Sequence, residues 1–299
     1  MTGQWFYKKL EELSKLQGYQ KPDYHEGVLK LDSNENFVIN KQLQQELIDI
    51  AKKNSDVREY PLGKSEKLIE SLSKYLQIPP AMIGIGNGSD QILDLFLSNF
   101  ASKKTKILTS NPTFGFFEER CKLYAIPTIK VQFSKNMTLS LSDFVSKSKK
   151  ADILYLDSPN NPTGFQFKKE EITELIKKFE GIVIIDEAYG EFSDYSVASL
   201  TKKFDNLIVV RTFSKSFGLA GLRLGYVIAS KKFIDVFSRV LQYPYPLNTL
   251  AIEAGILALQ KVKQIAETVE TIKQERLRII KKLRGSGAFD LYGDRKSVV

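Results

Sequence analysis

The order of apolar and polar positions divides the chain into two kinds of segment. Segments in which every third or fourth position is apolar predict amphipathic helices at 4–17, 41–54, 64–77, 89–100 and 168–180. Short, nearly uninterrupted apolar runs predict buried strands at 106–110, 152–157, 181–187, 207–212 and 225–230. Strands of this kind, separated by helices, indicate an α/β fold with a mostly parallel sheet covered by helices.

The pattern changes towards the end of the printed sequence. Residues 248 to about 284 predict one long helix, which Gly285 and Gly287 would end. A long helix after an α/β domain is typical of a bridge to a second domain. The residues that follow, SGAFDLYGDRKSVV, are too few to form an independent domain.

Composition excludes several classes of protein. The 299 residues are 42% hydrophobic and 26% charged, which argues against a disordered chain. No uncharged apolar run approaches the ~18 residues of a transmembrane helix, so we expect no membrane partner. The first residues, MTGQWFYKKLEEL, place acids among apolar positions and contain no secretory signal pattern. These features predict a cytoplasmic protein.

The formal net charge of +9 comes from 44 basic and 35 acidic residues. It allows two interpretations, an attraction for anions such as nucleic acids and a lysine-rich surface in contact with solvent. Acids are interspersed with the lysines, and aromatic residues do not alternate with basic ones as a strand-binding surface requires. The second interpretation is favoured, and we expect no nucleic-acid partner.

A single cysteine, Cys121, and a single histidine, His25, limit the available chemistry. No intramolecular disulfide can form, and zinc sites built from cysteine and histidine clusters are excluded. A Ser-His-Asp triad would have to use His25, whose surroundings do not resemble a catalytic context. We therefore expect no metal, and acid–base chemistry from lysine, tyrosine or carboxylate side chains.

Four motifs lie at the ends of predicted strands, where α/β proteins bind ligands. They are GNGSD at 86–90, SPNNPTG at 158–164, DEAY at 186–189 and RTFSKSFGLAGLR at 211–223. Alone, each has an ordinary structural interpretation as a turn, a loop or an exposed lysine. Their joint occurrence in one chain favours a single binding site.

Two of these motifs lead to electrostatic expectations. The free amides after Gly88 and the positive end of the following helix would attract an anion, with Ser89 or Asp90 as the helix N-cap. A carboxylate such as Asp186, at the end of a buried strand, is unfavourable unless it meets a cation. That cation would be either an arginine or lysine, or part of a ligand.

Together the motifs resemble those of fold-type-I, pyridoxal-phosphate-dependent aminotransferases of class I and II. Further phrases are similar to the histidinol-phosphate aminotransferase family, namely LDSNEN, REYPLG, NPTF and PYPLNT. The resemblance extends over about residues 28 to 284. It implies an N-terminal arm over 1–38 that contributes to a smaller α/β domain, and a large cofactor-binding domain over 39–247. The bridging helix and the start of the smaller domain would occupy 248–299.

The resemblance implies transamination of L-histidinol phosphate with 2-oxoglutarate, which gives imidazole acetol phosphate and L-glutamate in histidine biosynthesis. Related enzymes share most of these phrases, so two alternatives remain open. One is another class I or II aminotransferase that acts on aromatic or other amino acids, and the other is threonine-phosphate decarboxylase. An inactive homologue that serves as a binding subunit is a third alternative.

The resemblance also implies roles for individual residues. Lys215 would carry pyridoxal phosphate as a Schiff base and, once displaced by the substrate, would act as the general base. Asp186 would keep the pyridine nitrogen protonated and the ring able to accept electrons. Tyr189 and Asn161 would hydrogen-bond the phenolic oxygen, and Phe114 would stack on the ring where tyrosine is commoner.

The cofactor phosphate would be held by a group of hydroxyl, amide and guanidinium donors from Ser89, Asp90, Thr212, Ser214 and Arg223. Tyr60 would reach the cofactor phosphate of a neighbouring subunit, which implies a homodimer with shared active sites. Asn36 and Tyr245 would lie on the substrate side of the site.

One feature that the resemblance implies has no counterpart in the sequence. The family's chains continue further and contain an arginine that clamps the substrate's carboxylate or phosphate, whereas Arg295 does not stand in that context. A bidentate clamp supplies much of a substrate's orientation. We therefore expect an incomplete smaller domain, with cofactor binding retained and transamination impaired.

Overall fold

A computed structural model describes residues 4–16, 18, 33–39, 41–56, 58–288 and 291. Its strands are β1 (Ile83–Gly86), β2 (Ile107–Asn111), β3 (Thr128–Gln132), β4 (Ile153–Asp157), β5 (Ile182–Asp186), β6 (Leu207–Thr212) and β7 (Gly225–Ile228). They form one seven-stranded sheet in the order β1-β7-β6-β5-β4-β2-β3. Only β7, among these strands, runs antiparallel to its neighbours, so the predicted mostly parallel sheet is confirmed.

Helices connect and cover the strands. Their bounds are α1 (Gln4–Ser14), α2 (Lys41–Lys53), α3 (Lys64–Leu76), α4 (Gly88–Phe100), α5 (Gly115–Leu123), α6 (Leu141–Ser148), α7 (Lys169–Lys178), α8 (Lys231–Val236), α9 (Thr249–Gln260) and α10 (Val262–Ser286). Short 3₁₀ turns and one π-helical segment, Phe237–Leu241, complete the connections. The five helices predicted before residue 248 correspond to α1, α2, α3, α4 and α7.

Both faces of the sheet are buried, which explains the unbroken apolar runs of the central strands. Successive residues of β4 alternate between two apolar clusters, with Leu154 and Leu156 in one and Ile153 and Tyr155 in the other. The second cluster also contains Phe117, whose ring stacks on that of Tyr155 with centroids 3.5 Å apart. The two-layer burial fixes the register of the strands, because a slip of one residue would exchange the clusters.

Two details of the prediction are wrong. The helix expected from 248 to about 284 is broken at Lys261, whose backbone (φ −102°, ψ 21°) leaves the helical region and separates α9 from α10. The N-cap of α4 is Asn87, and not Ser89 or Asp90, because the helix already begins at Gly88. Ser89 and Asp90 therefore lie in the first turn, where free backbone amides are still exposed to a ligand.

The domain boundaries after residues 38 and 247 remain predictions, since residues 19–32 and 292–299 lie outside the described part of the chain. Among the helices that are described, none is both long and apolar enough to cross a membrane.

Candidate active site

A cavity of about 420 Å³ opens at the edge of the sheet where the parallel strands end. Asp157, Asp186 and Thr212 are the last residues of β4, β5 and β6, and all three line the cavity. The antiparallel strand β7 begins at this edge, two residues after Arg223. Parallel strands bring their carboxyl ends to one edge, so residues far apart in the chain meet here.

Ten of the residues predicted for the site line this cavity: Ser89, Asp90, Phe114, Asn161, Asp186, Tyr189, Thr212, Ser214, Lys215 and Arg223. The other cavity-lining residues are Ser33, Asn34, Asp157, Pro159, Pro162 and Ala188. The structure thus brings the four sequence motifs together. The roles assigned to these residues remain predictions.

Asp186 is 3% exposed, and its carboxylate is held by neutral donors. Tyr155 Oη donates to Oδ2 at 3.1 Å, and the Ala188 amide donates to Oδ1 at 2.9 Å. Burial and the neighbouring Asp157 raise the pKa of the Asp186 carboxyl to about 7. Within the described residues Asp186 forms no ion pair, so the cation that its position requires is left for a ligand.

Lys215 contacts the amino-terminal segment that contains Ser33. Its Nζ donates to the Ser33 carbonyl oxygen at 2.5 Å and lies 5.6 Å from the centroid of the Tyr189 ring. The hydroxyl of Tyr189 accepts a hydrogen bond from Asn34 Nδ2 at 3.1 Å. The amine is half-buried between a carbonyl and an aromatic face, within reach of a molecule in the cavity.

A guanidinium and several hydroxyls form another part of the cavity wall. Arg223 Nη2 donates to Asp90 Oδ2 at 2.9 Å, and Arg223 Nη1 donates to Ser214 Oγ at 3.3 Å. Thr212 Oγ1 in turn donates to Ser214 Oγ at 3.0 Å. These groups lie at the N-terminus of α4, where amides and the helix dipole favour an anion.

Two glycines make this close arrangement possible. A Cβ on Gly88, which has φ +78°, would lie 2.6 Å from Arg223 Nη2. A Cβ on Gly225 would lie 2.5 Å from both the carbonyl carbon of Gly88 and the amide nitrogen of Ser89. A larger residue at position 225 would separate the start of β7 from the N-terminus of α4, and one at position 88 would displace the Arg223 guanidinium.

The two asparagines of the loop after β4 have different surroundings. Asn160 is 2% exposed and donates to Asp157 Oδ1 at 2.9 Å, while its own Oδ1 accepts from the amide and hydroxyl of Thr163. Asn161 lines the cavity, and its backbone amide donates to Asp157 Oδ2 at 2.7 Å. Asn160 therefore shapes the loop, and Asn161 is left to face a ligand.

Three residues predicted for the site are not among those that line the cavity. Asn36 is 6% exposed, and its amide donates to the Ser216 carbonyl oxygen at 2.8 Å. Tyr60 and Tyr245 are exposed and stack on each other, with ring centroids 4.4 Å apart. His25 and Arg295 lie outside the described residues.

Sequence reasoning missed Asp157, although the signal was present. The argument that selected Asp186, an acid at the end of a buried apolar strand, applies equally to the phrase ILYLD. Ser33 and Asn34 lie in LDSNEN, one of the phrases that carry the family resemblance, but only Asn36 of that phrase was predicted as a site residue.

The donors in this cavity suit pyridoxal phosphate. The phosphate requires anion-binding groups such as those near Arg223 and Ser214, and the aldehyde requires an amine such as that of Lys215. The pyridine nitrogen, once protonated, would supply the cation that the buried Asp186 lacks. Among the described residues, no group of three or more histidine, cysteine, aspartate or glutamate side chains is placed to hold a metal ion.

Known proteins match this chain over most of its length. The model of the family "Aminotransferase class I and II" matches residues 26–296. A histidinol-phosphate aminotransferase of Thermoanaerobacter pseudethanolicus is 33% identical over 275 residues, which are 90% of this chain and 77% of that protein.

Two solved structures have a similar fold. The histidinol-phosphate aminotransferase of Clostridium acetobutylicum has a TM-score of 0.81 at 29% identity, over 90% of this chain and 81% of that one. The enzyme of Sinorhizobium meliloti, solved in complex with pyridoxal-5'-phosphate, has a TM-score of 0.80 at 22% identity, over 88% and 72% of the two chains. The second comparison supports the fold alone. The chain belongs to the class I and II aminotransferases and is a pyridoxal-phosphate-dependent enzyme.

Proposed function

We propose that this enzyme transfers the amino group of L-histidinol phosphate to 2-oxoglutarate, forming imidazole acetol phosphate and L-glutamate. The observation behind the proposal is that Lys215, Asp186 and Arg223 line one cavity. This set provides an amine, a buried carboxylate and an anion-binding group for the cofactor. The substrate follows from the names of relatives about one-third identical to this chain.

In this proposal the protein orients the cofactor through several contacts. Arg223 and Ser214, with the amides at the start of α4, bind the phosphate. Asp186 accepts a hydrogen bond from the protonated ring nitrogen. Phe114 offers a flat apolar surface to the ring. Tyr189 and Asn161 provide donors for the phenolic oxygen.

Bound pyridoxal phosphate supplies an electron sink for the negative charge that remains when the substrate Cα loses its proton. Lys215 Nζ, in its neutral form, would be the base that takes the proton from the substrate Cα. Its present contacts with the Ser33 carbonyl and the Tyr189 ring keep the amine at the cavity. Asp186, whose ionised form a neighbouring cation favours, would keep the ring nitrogen protonated.

We also propose that the active unit is a homodimer. Tyr60, which the family resemblance places at a neighbour's cofactor, is 71% exposed, and Leu62, two residues later, is 74% exposed. Tyr245 stacks on Tyr60, so the two rings form one exposed aromatic patch. Along α1, Trp5 and Tyr7 are likewise about 70% exposed. Sedimentation or gel filtration with light scattering is expected to give twice the 34.0 kDa chain mass.

An assay of glutamate formation from L-histidinol phosphate and 2-oxoglutarate tests the proposed substrate.

Borohydride reduction of the loaded enzyme, followed by peptide mass mapping, is expected to place the cofactor label on Lys215. Lys215→Ala is expected to lose the label, and Lys232→Ala, at an exposed lysine, is expected to retain it. A label on another residue would contradict the assignment. Carbon dioxide release from threonine phosphate, without glutamate formation, would favour the decarboxylase instead.

A further inference from the structure

A second buried carboxylate, Asp157, connects the parts of the cavity wall. It is 7% exposed and ends β4 directly beside Asp186, its register partner at the end of β5. Thr113 Oγ1 and Asn160 Nδ2 donate to its Oδ1 at 3.0 and 2.9 Å, and the Asn161 amide donates to Oδ2 at 2.7 Å. One side chain thus links the loop after β2 to the loop that follows its own strand.

Each of these contacts lies next to a residue expected to touch the cofactor ring. Thr113 immediately precedes Phe114, and Asn161 itself lines the cavity. Because both loops are hydrogen-bonded to Asp157, one through the Thr113 hydroxyl and the other through the Asn161 amide, movement of its carboxylate would move the ring-stacking face and the amide together.

Asp157 also contributes charge. Burial raises the pKa of its carboxyl to about 6, so the group is mostly ionised at neutral pH and lies beside a second carboxylate. Register partners of parallel strands are separated by about 4.8 Å between their backbones. The pair creates a negative potential that a single cationic ring would relieve. Other titratable side chains that contact the pair or share its cavity are Asp90, Tyr155, Tyr189, Lys215 and Arg223.

We propose that Asp157 is a positioning residue for pyridoxal phosphate, which fixes the loops bearing Phe114 and Asn161 and strengthens the negative site that Asp186 presents to the ring. The inference rests on the proposed function, because it concerns the bound cofactor. Nothing in the proposal requires Asp157 to exchange a proton with the substrate.

The test compares four proteins: wild type, Asp157→Asn, Thr113→Val and Asp152→Asn. Asp157→Asn removes the charge and retains the size, and Thr113→Val removes one hydrogen bond and leaves the charge. Asp152→Asn is the matched control, since Asp152 immediately precedes the same strand, is exposed and accepts a bond from the Lys106 amide. The dissociation constant of pyridoxal phosphate and the absorption spectrum of the bound cofactor are measured against pH.

In Asp157→Asn we expect the dissociation constant to rise about tenfold, which corresponds to ~1.4 kcal/mol. The pH midpoint of the spectral change should move to lower pH, because losing a negative neighbour weakens proton binding at the cofactor. Thr113→Val should weaken binding less and leave the midpoint near the wild-type value. Asp152→Asn should match wild type in both measurements.

A purely structural Asp157 would lower the urea midpoint of unfolding while leaving both the affinity and the spectral midpoint unchanged, and this result would overturn the proposal. If Asp157→Asn does not fold, Thr113→Val decides the matter, since unaltered affinity in that variant would remove the loop-positioning role. Failure of the wild type to bind pyridoxal phosphate would overturn the proposed function itself. Normal binding in every protein would overturn only the role of Asp157.

Discussion

Asp186 and Glu187 are adjacent in the chain, but side chains alternate along the strand and their carboxylates enter different surroundings. Glu187 Oε2 accepts from Arg211 Nε at 3.0 Å and from Ser196 Oγ at 2.6 Å. Asp186, within the described part of the chain, meets neutral donors such as Tyr155 and no cation. One carboxylate is neutralised by the protein, and the other is not.

Arg211 is paired with carboxylates of the protein itself. Glu191 adds a second carboxylate at 3.4 Å, and Ser216 Oγ donates to Glu191 at 2.8 Å. Burial alone would lower the pKa of the Arg211 guanidinium, but Tyr226, Glu187 and other acidic groups hold that pKa above its ordinary value. The comparison teaches that a buried charge with a protein partner supports the structure, whereas a buried charge without one marks a ligand site.

Asp186→Asn is expected to have the largest effect on the reaction. Losing the carboxylate should lower the rate of glutamate formation about 10³-fold, the effect of ~4 kcal/mol for a charge pair at 4 Å and an effective dielectric constant of 20. Glu187→Gln is the control, because Glu187 does not line the cavity. Its rate per folded molecule should be that of wild type, and equal losses in both variants would contradict the comparison.

Arg211→Met should have the largest effect on stability. The substitution leaves the carboxylates of Glu187 and Glu191 buried without their cation, so the free energy of unfolding should fall by about 3–5 kcal/mol. Urea unfolding measures the change. Arg278→Met, which breaks an exposed pair with Glu275, should cause no measurable change. A small change in the free energy of unfolding of Arg211→Met would show that Glu187 and Glu191 do not depend on Arg211 for their stability in the folded protein.

The stability of the cofactor-free protein should depend on pH through Asp186. Its folded pKa of about 7 lies above the ordinary 3.8, so the folded state binds more protons than the unfolded state between these values. The stabilisation is fully present below pH 4 and is lost as the pH rises through 7, by up to ~4 kcal/mol. Urea unfolding of wild type and Asp186→Asn across this range should show a shallower decline in the variant. Parallel profiles of unfolding free energy against pH in the two proteins would contradict the assignment of this pH dependence to Asp186.

Tyr75→Phe should have the smallest effect of this series. Tyr75 Oη donates to Glu191 Oε1 at 3.3 Å, and its loss removes one hydrogen bond from the Arg211 cluster. The free energy of unfolding should fall by about 1 kcal/mol, while the catalytic rate remains unchanged. Tyr243→Phe, at a side chain that is 62% exposed, is the control and should be neutral. A change in rate would connect the cluster to the cavity.

The strands that sequence reasoning found and missed differ in their position in the sheet. The five predicted strands are interior ones with buried apolar runs, whereas β1 and β3 lie at the two edges. β1 contains two glycines in four residues, and β3 alternates polar and apolar positions with three half-buried side chains. Short or half-exposed edge strands lack the pattern by which buried ones are identified.

The candidate site could be predicted where its residues lie in compact phrases at strand ends. Lys215, Asp186 and Arg223 belong to such phrases, and so do most residues that line the cavity. The stacking of Tyr60 on Tyr245 could not be anticipated, because it joins residues far apart in the chain. The break at Lys261 could not be predicted either, because no glycine or proline stands at that position.

The amino-acid sequence by itself determined the alternation of helices and buried strands and the placement of reactive side chains after those strands. These properties depend on short-range periodicity and turn chemistry. Only the tertiary structure decided which charges are neutralised. Strand register set Asp157 beside Asp186 and left Arg211 on the other face with Glu187. The electrostatic energy of a buried charge depends on its neighbours in space, and the order of residues along the chain does not specify them.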